Sequence, residues 1–154
     1  MINKQNSCDS CGPVAIMNTI QLLGGMLGES NYIDMFKTIG YRDNIHNKGT
    51  MSYCMSKWLE FFNIKYKKKN HPRVFDIESS IENGNIVILE YEFFDNNVYS
   101  GHFVVIDKSY NRFFRAYNAE KDGGNILEKY DLSLWMKRSK LRKHHKPIMW
   151  EISI

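Results

Sequence analysis

The chain has 154 residues, 43% of them hydrophobic and 14% aromatic, which is enough apolar material for one domain with a core. A charged fraction of 25% and a net charge of +4 argue against intrinsic disorder and against a collagen-like chain. The N-terminus lacks the apolar segment of a secretory signal, and no apolar run reaches the roughly 18 residues of a membrane span. We therefore expect a soluble, cytoplasmic protein with a single domain over residues 1–154.

The first half of the chain predicts mainly helices. Residues 11–23 are apolar on nearly all sides, as in a buried helix, and Pro13 suits its first turn because the missing N–H is not needed there. Gly24 and Gly25 are expected to end this helix. Further helices are predicted over residues 30–39, 51–62 and 72–81, with a short strand over residues 63–66.

The second half of the chain predicts strands. Apolar, β-branched segments are expected to be strands over residues 86–91, 101–107, 112–118 and 148–153. A turn is predicted over residues 122–124 and a short helix around residues 132–136. Because the helices come first and the strands later, the predicted fold class is α+β.

Cys11 stands at the predicted start of the buried helix. A helix N-terminus presents unpaired N–H groups and about half a positive charge, which stabilises a thiolate. We therefore predict a lowered pKa for Cys11 and assign it as a nucleophile. Cys54 falls in the middle of a helix near Trp58 and is expected to belong to the core.

His102 lies within an apolar strand, and the following hairpin suggests its partner. If the loop has an odd number of residues centred on Tyr110, His102 sits directly opposite Asn118. Cross-strand neighbours have Cβ atoms about 4.5–5.5 Å apart, so the Asn118 amide could orient the imidazole. The other ring nitrogen would then accept the thiol proton. A loop with an even number of residues would place the two side chains on opposite faces.

Gln5 precedes Cys11 by six positions. Its side-chain amide, together with the backbone N–H of Cys11, could form an oxyanion hole. One such donor is worth about 100- to 1000-fold in rate.

Three segments together resemble the C39-like peptidases of the papain-like superfamily. Residues 5–17 read QNSCDSCGPVAIM, which is similar to that family's motif of a Gln followed by the Cys-Gly-Pro helix start. Residues 101–106, GHFVVI, resemble its histidine strand. Asn118 occupies the place of the third catalytic member, which is usually Asp in the family and often followed by Pro, whereas here Ala119 follows.

The resemblance implies a papain-like fold with an N-terminal helical lobe and a C-terminal antiparallel sheet. The nucleophile Cys11 would begin the first long helix, and the sheet would carry His102 and Asn118. The implied activity is hydrolysis of an amide bond in a peptide or protein substrate through a thioester, with no cofactor and no metal. Deamidases, acyltransferases and inactive protein-binding modules share the superfamily's fold, so these functions remain alternatives.

Two rival chemistries involve the same cysteine. Cys8 and Cys11 have the C-x-x-C spacing of thiol redox proteins, but too few residues precede Cys8 for the strand that such sites follow. A reversible Cys8–Cys11 disulfide that blocks the nucleophile stays open. A zinc site would need His144 and His145, whose adjacent positions do not fit the usual ligand spacing.

Charged segments suggest partners. Basic stretches over residues 65–69 and 137–146 could dock an acidic partner or form a solvated face, while nucleic-acid binding is disfavoured. Acidic residues near the predicted sheet edge are expected to favour basic substrates or simply to be solvated: Glu90, Glu92, Asp95 and Asp107.

Overall fold

The computed structural model of the protein describes residues 11–26, 52–95, 98–119, 124–141 and 147–154. Its helices are α1 (Cys11–Leu22), α2 (Ser52–Phe61), α3 (Val74–Glu82) and α4 (Lys129–Leu141). Its strands are β1 (Tyr66–Asn70), β2 (Ile86–Asp95), β3 (Val98–Ser109), β4 (Phe113–Tyr117), β5 (Ile126–Glu128) and β6 (Ile148–Ile152). The predicted helix over residues 30–39 and most of the predicted turn over 122–124 lie outside the described residues.

The strands form one antiparallel sheet in the order β1-β6-β2-β3-β4-β5. The last of these strands along the chain, β6, lies between β1 and β2 and pairs with both. The predicted α+β class with an antiparallel C-terminal sheet is confirmed.

Helix α1 ends where the glycines predicted. Gly24 adopts the left-handed conformation with φ of 85°. The N–H of Gly24 bonds to the carbonyl of Gln21 and the N–H of Gly25 to the carbonyl of Ile20, at 3.0 and 2.9 Å. This is the Schellman pattern, which a residue without Cβ forms at little cost.

The two faces of the sheet pack against different helices. The α1 face packs against α1 and α2 and includes Ile88, Phe103 and Trp150. The α4 face packs against α3 and α4 and includes Leu89, Tyr91 and Val104. Successive strand residues point to opposite faces, so each long apolar strand contributes to both cores.

Several sequence predictions miss their boundaries. The strands predicted over residues 86–91 and 101–107 extend over Ile86–Asp95 and Val98–Ser109. The strand predicted over residues 63–66 begins only at Tyr66, because Asn63 takes a φ of 56° and the N–H of Ile64 closes α2 on the Leu59 carbonyl. The lysine-rich residues that follow form the edge strand β1, where lysines discourage pairing with other chains. The helix predicted around residues 132–136 extends over Lys129–Leu141.

Candidate active site

Cys11 is the first residue of α1 and its side chain is 6% exposed. The backbone N–H of Phe103, in β3, donates a hydrogen bond to the Cys11 sulfur, and the amides of Cys11 and Gly12 also contribute. The nucleophile predicted at the mouth of the helix therefore meets the strand that carries His102. The contact is made to the residue immediately after the histidine.

This contact fixes where the sulfur lies relative to the sheet. In an antiparallel strand, the N–H and C=O of a residue point towards the same neighbour. The β3–β4 ladder has its last pair at Val105 and Tyr117. Phe103 directs its N–H to the same side as Val105, beyond the end of β4. Among the described residues, no strand pairs with β3 on this side beyond the Val105–Tyr117 pair, and the Cys11 sulfur lies at this open edge of β3.

The predicted lowering of the Cys11 pKa is wrong. Burial raises the pKa of the thiol to about 11, and the nearby Glu90 carboxylate adds to the increase. The N–H groups of Phe103, Gly12 and Cys11 act in the opposite direction but do not compensate. Removing a thiolate from water costs more free energy than the helix N-terminus contributes in stabilisation. The thiol is therefore neutral near pH 7.

His102 is 9% exposed and projects from β3. Its Nε2 lies 2.6 Å from the backbone oxygen of Asn118. A carbonyl oxygen can only accept, so Nε2 carries the proton and Nδ1 is the unprotonated nitrogen of the neutral ring. Burial lowers the pKa of His102, while the Asn118 carbonyl favours the charged form.

Aromatic rings surround the imidazole on the α4 face. Tyr91 pairs directly with His102 across β2 and β3, and its ring meets the imidazole edge-on with centroids 6.0 Å apart. Phe93 makes a second edge-on contact at 6.2 Å. The side chain of Phe103 points to the α1 face, so the sulfur that its N–H contacts and the His102 ring lie near consecutive residues of β3.

The structure brings Asn118 to His102 by a different route from the one predicted. The register pairs Ser109 with Phe114 and then, past a bulge at Asp107, Ile106 with Ala116. The hairpin loop has an even number of residues, and the bulge adds the one residue that returns His102 and Asn118 to a common face. The predicted direct pairing is therefore wrong: the register, continued past Tyr117, sets Asn118 opposite Val104.

Asn118 contacts the ring through its main chain. Its φ of 65° lies in the left-handed region, which asparagine tolerates better than most residues. This turn of the backbone aims the carbonyl at Nε2 immediately after β4 ends. The sequence prediction assigned the contact to the side-chain amide, because a loop conformation of this kind leaves no periodic signal.

A buried carboxylate lies next to the site, and the sequence analysis placed it only near the sheet edge. Glu90 is 1% exposed, pairs in register with Phe103, and accepts a hydrogen bond from the Ser52 hydroxyl at the start of α2. The expectation that it is a solvated edge residue is wrong. The alternation of β2 contained the signal, since Glu90 falls on the same face as Ile86 and Ile88.

Two of the other acidic candidates, Glu92 and Asp107, are also partnered. Glu92 is buried and accepts a hydrogen bond of 3.0 Å from Ser139. Asp107 forms a two-point contact with the Arg115 guanidinium and accepts from the Tyr117 hydroxyl. The side chain of Asp95 lies outside the described residues.

Several predicted site residues lie outside the described part of the chain: Gln5, Cys8, His144 and His145. Cys54 is fully buried in α2, which confirms its assignment to the core. The described residues contain no group of three or more His, Cys, Asp or Glu side chains that could hold a metal ion. Among the same residues, no helix is long and apolar enough to cross a membrane.

Comparison with solved structures identifies the fold. The peptidase domain of Streptococcus ComA, a bi-functional ABC transporter involved in a quorum-sensing pathway, superposes with a TM-score of 0.66 at 10% identity. The match covers 97% of this chain and 95% of that one. A Bacillus anthracis protein assigned to the C39-like peptidases matches with a TM-score of 0.65 at 8% identity, over 100% of this chain and 94% of that one.

The chain therefore has the fold of the C39-like peptidases. Neither protein-family models nor curated proteins match its sequence.

Proposed function

We propose that the chain is a papain-like cysteine peptidase, with one domain over residues 1–154, Cys11 as nucleophile, His102 as general base and Asn118 as its orienting partner. The observation that carries the proposal is the meeting of Cys11 and β3. The sulfur accepts a hydrogen bond from the residue next to His102, at the strand edge where Asn118 fixes the ring.

The first chemical step forms a thioester. As the sulfur attacks the substrate carbonyl carbon, the thiol proton moves to Nδ1 of His102, which is unprotonated because Nε2 donates to Asn118. The imidazolium that forms is stabilised by the Asn118 carbonyl dipole. Its Nδ1 proton then passes to the leaving amine, and the C–N bond breaks.

The second step releases the acid. Neutral His102 takes a proton from water, the hydroxide adds to the thioester carbonyl, and the C–S bond breaks with return of the proton to sulfur. In both steps the backbone N–H of Cys11 and the amide of Gln5 are proposed to hold the oxyanion. The proposed substrate is a peptide or protein, and no cofactor takes part.

A second candidate function is a protein-binding module with a resting catalytic site. The observation that favours it is the pKa of about 11 for the Cys11 thiol, which leaves very little thiolate at neutral pH. In a peptidase, proton transfer to His102 during attack would overcome the small thiolate fraction. A binding module would need neither the thiolate nor the proton transfer.

The test is incubation with a peptide library in H₂¹⁸O, followed by mass spectrometry. A peptidase yields shorter peptides whose new carboxyl group carries ¹⁸O; a deamidase yields full-length peptides that also gain ¹⁸O. An acyltransferase yields ligated products. Cys11→Ala must remove the product, and Cys54→Ala is the matched control at a second buried cysteine. Unchanged product from Cys11→Ala would overturn the mechanism.

A further inference from the structure

A cavity of about 240 Å³ lies between the start of α3, one flank of α4 and the beginning of β6. Four basic residues line it: His71, Arg73, Lys137 and Lys140. The first two directly follow the lysine-rich strand β1, and the last two begin the second basic stretch of the sequence. The fold therefore joins two basic segments that are far apart in the chain.

The walls of the cavity are apolar. Four apolar residues contribute to the lining. Three of them are buried and Val74 is partly exposed: Pro72, Val74, Met136 and Pro147. A chamber with apolar walls and cations around it suits a ligand that has both a hydrophobic part and negative charge.

The positive charge at this site is only partly balanced. Asp76 is the nearby carboxylate, and it pairs with Lys69 at 3.1 Å and with Arg73 at 3.5 Å. Lys137 and Lys140 are exposed and form no ion pair with a carboxylate of the described residues. An incoming anionic group would therefore gain new contacts without breaking existing pairs at these two lysines.

The cavity lies in register with the candidate active site. Continuing the ladders by one pair sets His71 beside Pro147 and Pro147 beside Tyr91, which itself pairs with His102. The N–H of His71 bonds to the Pro147 carbonyl at 2.9 Å, as this row requires. Three strand spacings separate His71 from His102, or roughly 14 Å.

Helix α4 stands between the two places. Trp135 stacks on Tyr91, which packs against His102, whereas the adjacent Met136 lines the cavity. A peptide held at both places passes over α4 and needs at least about four extended residues between them, at roughly 3.3 Å each.

We propose that this cavity is an exosite for an acidic segment of the peptide substrate, in which an apolar side chain enters the chamber and flanking carboxylates contact Lys137 and Lys140. The proposal rests on the proposed peptidase function, because it makes the occupant part of the substrate. It adds a preference for acidic residues at a distance from the scissile bond.

The test measures binding without turnover, using the full chain with Cys11→Ala. Fluorescein-labelled peptides carry Glu-Leu-Glu, Gln-Leu-Gln or Glu-Gly-Glu in a common Gly/Ser background, and binding is followed by fluorescence anisotropy. We expect the first peptide to bind roughly tenfold more tightly than either other peptide. The added change Lys137→Glu/Lys140→Glu should remove that advantage, since like charges repel.

The matched control is Lys57→Glu/Lys108→Glu, which changes the net charge equally at exposed lysines elsewhere and should leave the preference intact. If the charge-reversed pair unfolds, Lys137→Ala/Lys140→Ala replaces it. Equal binding of the three peptides, equal loss in the control, or tighter binding of an oligothymidine or inorganic phosphate would overturn the exosite.

The two proposals fail separately. Cleavage that depends on Cys11 but shows no acidic preference overturns only the exosite. Acidic-peptide binding that depends on Lys137 and Lys140, in a chain that hydrolyses nothing, overturns the peptidase and leaves an acidic-peptide binding site.

Discussion

The open edge of β3 and the cation-lined cavity behind α4 lie in one row of the sheet but are built in opposite ways. At the edge, Cys11 and His102 are buried, neutral near pH 7 and positioned by backbone atoms of Phe103 and Asn118. At the cavity, exposed lysines provide the chemistry, and salt can screen them. The comparison separates two kinds of function. Burial preserves the arrangement of Cys11 and His102, whereas surface charge would control the binding of an acidic peptide at the cavity.

The largest expected effect is a change at the open edge of β3 that abolishes hydrolysis and leaves peptide binding at the cavity intact. Cys11→Ala should reduce peptide hydrolysis to background, because no other group of the site supplies a nucleophile, while acidic-peptide binding stays unchanged. Cys54→Ala removes a buried sulfur of α2 and should lower stability by about 1 kcal/mol without loss of turnover. Loss of acidic-peptide binding together with hydrolysis would show that the two regions are not independent.

The next effect concerns the ionisation of Cys11. Only the thiolate reacts with iodoacetamide, and below a pKa of about 11 its fraction rises tenfold per pH unit. Mass-mapped alkylation of Cys11 should therefore accelerate about 100-fold from pH 7 to pH 9. A rate that is constant over this range would indicate a thiolate–imidazolium pair and would contradict the neutral resting site.

Position 118 tests whether a carbonyl orients the imidazole. Asn118→Gly keeps the main-chain oxygen and tolerates a φ of 65°, so kcat should fall no more than a few-fold. Asn118→Val places a β-branched residue in the left-handed region at a cost of about 1–2 kcal/mol, which should displace the carbonyl and lower kcat about tenfold. Equal activity of the two variants would contradict the role of the carbonyl.

The smallest expected effect is at the helix between the two regions. Trp135 stacks on Tyr91, which packs against His102, so Trp135→Ala should lower kcat two- to three-fold and lower the free energy of unfolding by about 1–2 kcal/mol. The exposed Tyr130 of the same helix is the control, and Tyr130→Ala should change neither quantity. The measurements are steady-state kinetics and urea unfolding.

The sequence was informative where local chemistry decides the structure. Pro13 and the glycine pair set both ends of α1, and apolar β-branched runs set β2, β3 and β6. The register of the β3–β4 hairpin was not predictable, because a bulge at Asp107 offsets an even loop and neither feature has a fixed sequence signature. The C39-like fold followed from three short motifs, although the overall identity to its structural neighbours is 10% and 8%.

The sequence supplied the candidate site residues, whose catalytic roles stay predictions, but it did not give the ionisation state of the Cys11 thiol. Cys11 and His102 came from motif and spacing, whereas the neutral thiol depends on burial by β3, which becomes visible only in three dimensions. Glu90 was misjudged for a different reason: the alternation of β2 placed it on a buried face, but a carboxylate is normally solvated, and the Ser52 hydroxyl that accompanies its burial could not be foreseen.

The most direct test of the pairing of Cys11 with His102 is labelling with a peptide aldehyde. The hemithioacetal is detected on the intact protein by native mass spectrometry, without chemical reduction. We expect one adduct, at Cys11, which is absent in Cys11→Ala and forms about 100-fold more slowly in His102→Ala, since the imidazole accepts the thiol proton. An adduct at Cys54, or equal rates with and without the imidazole, would contradict the account.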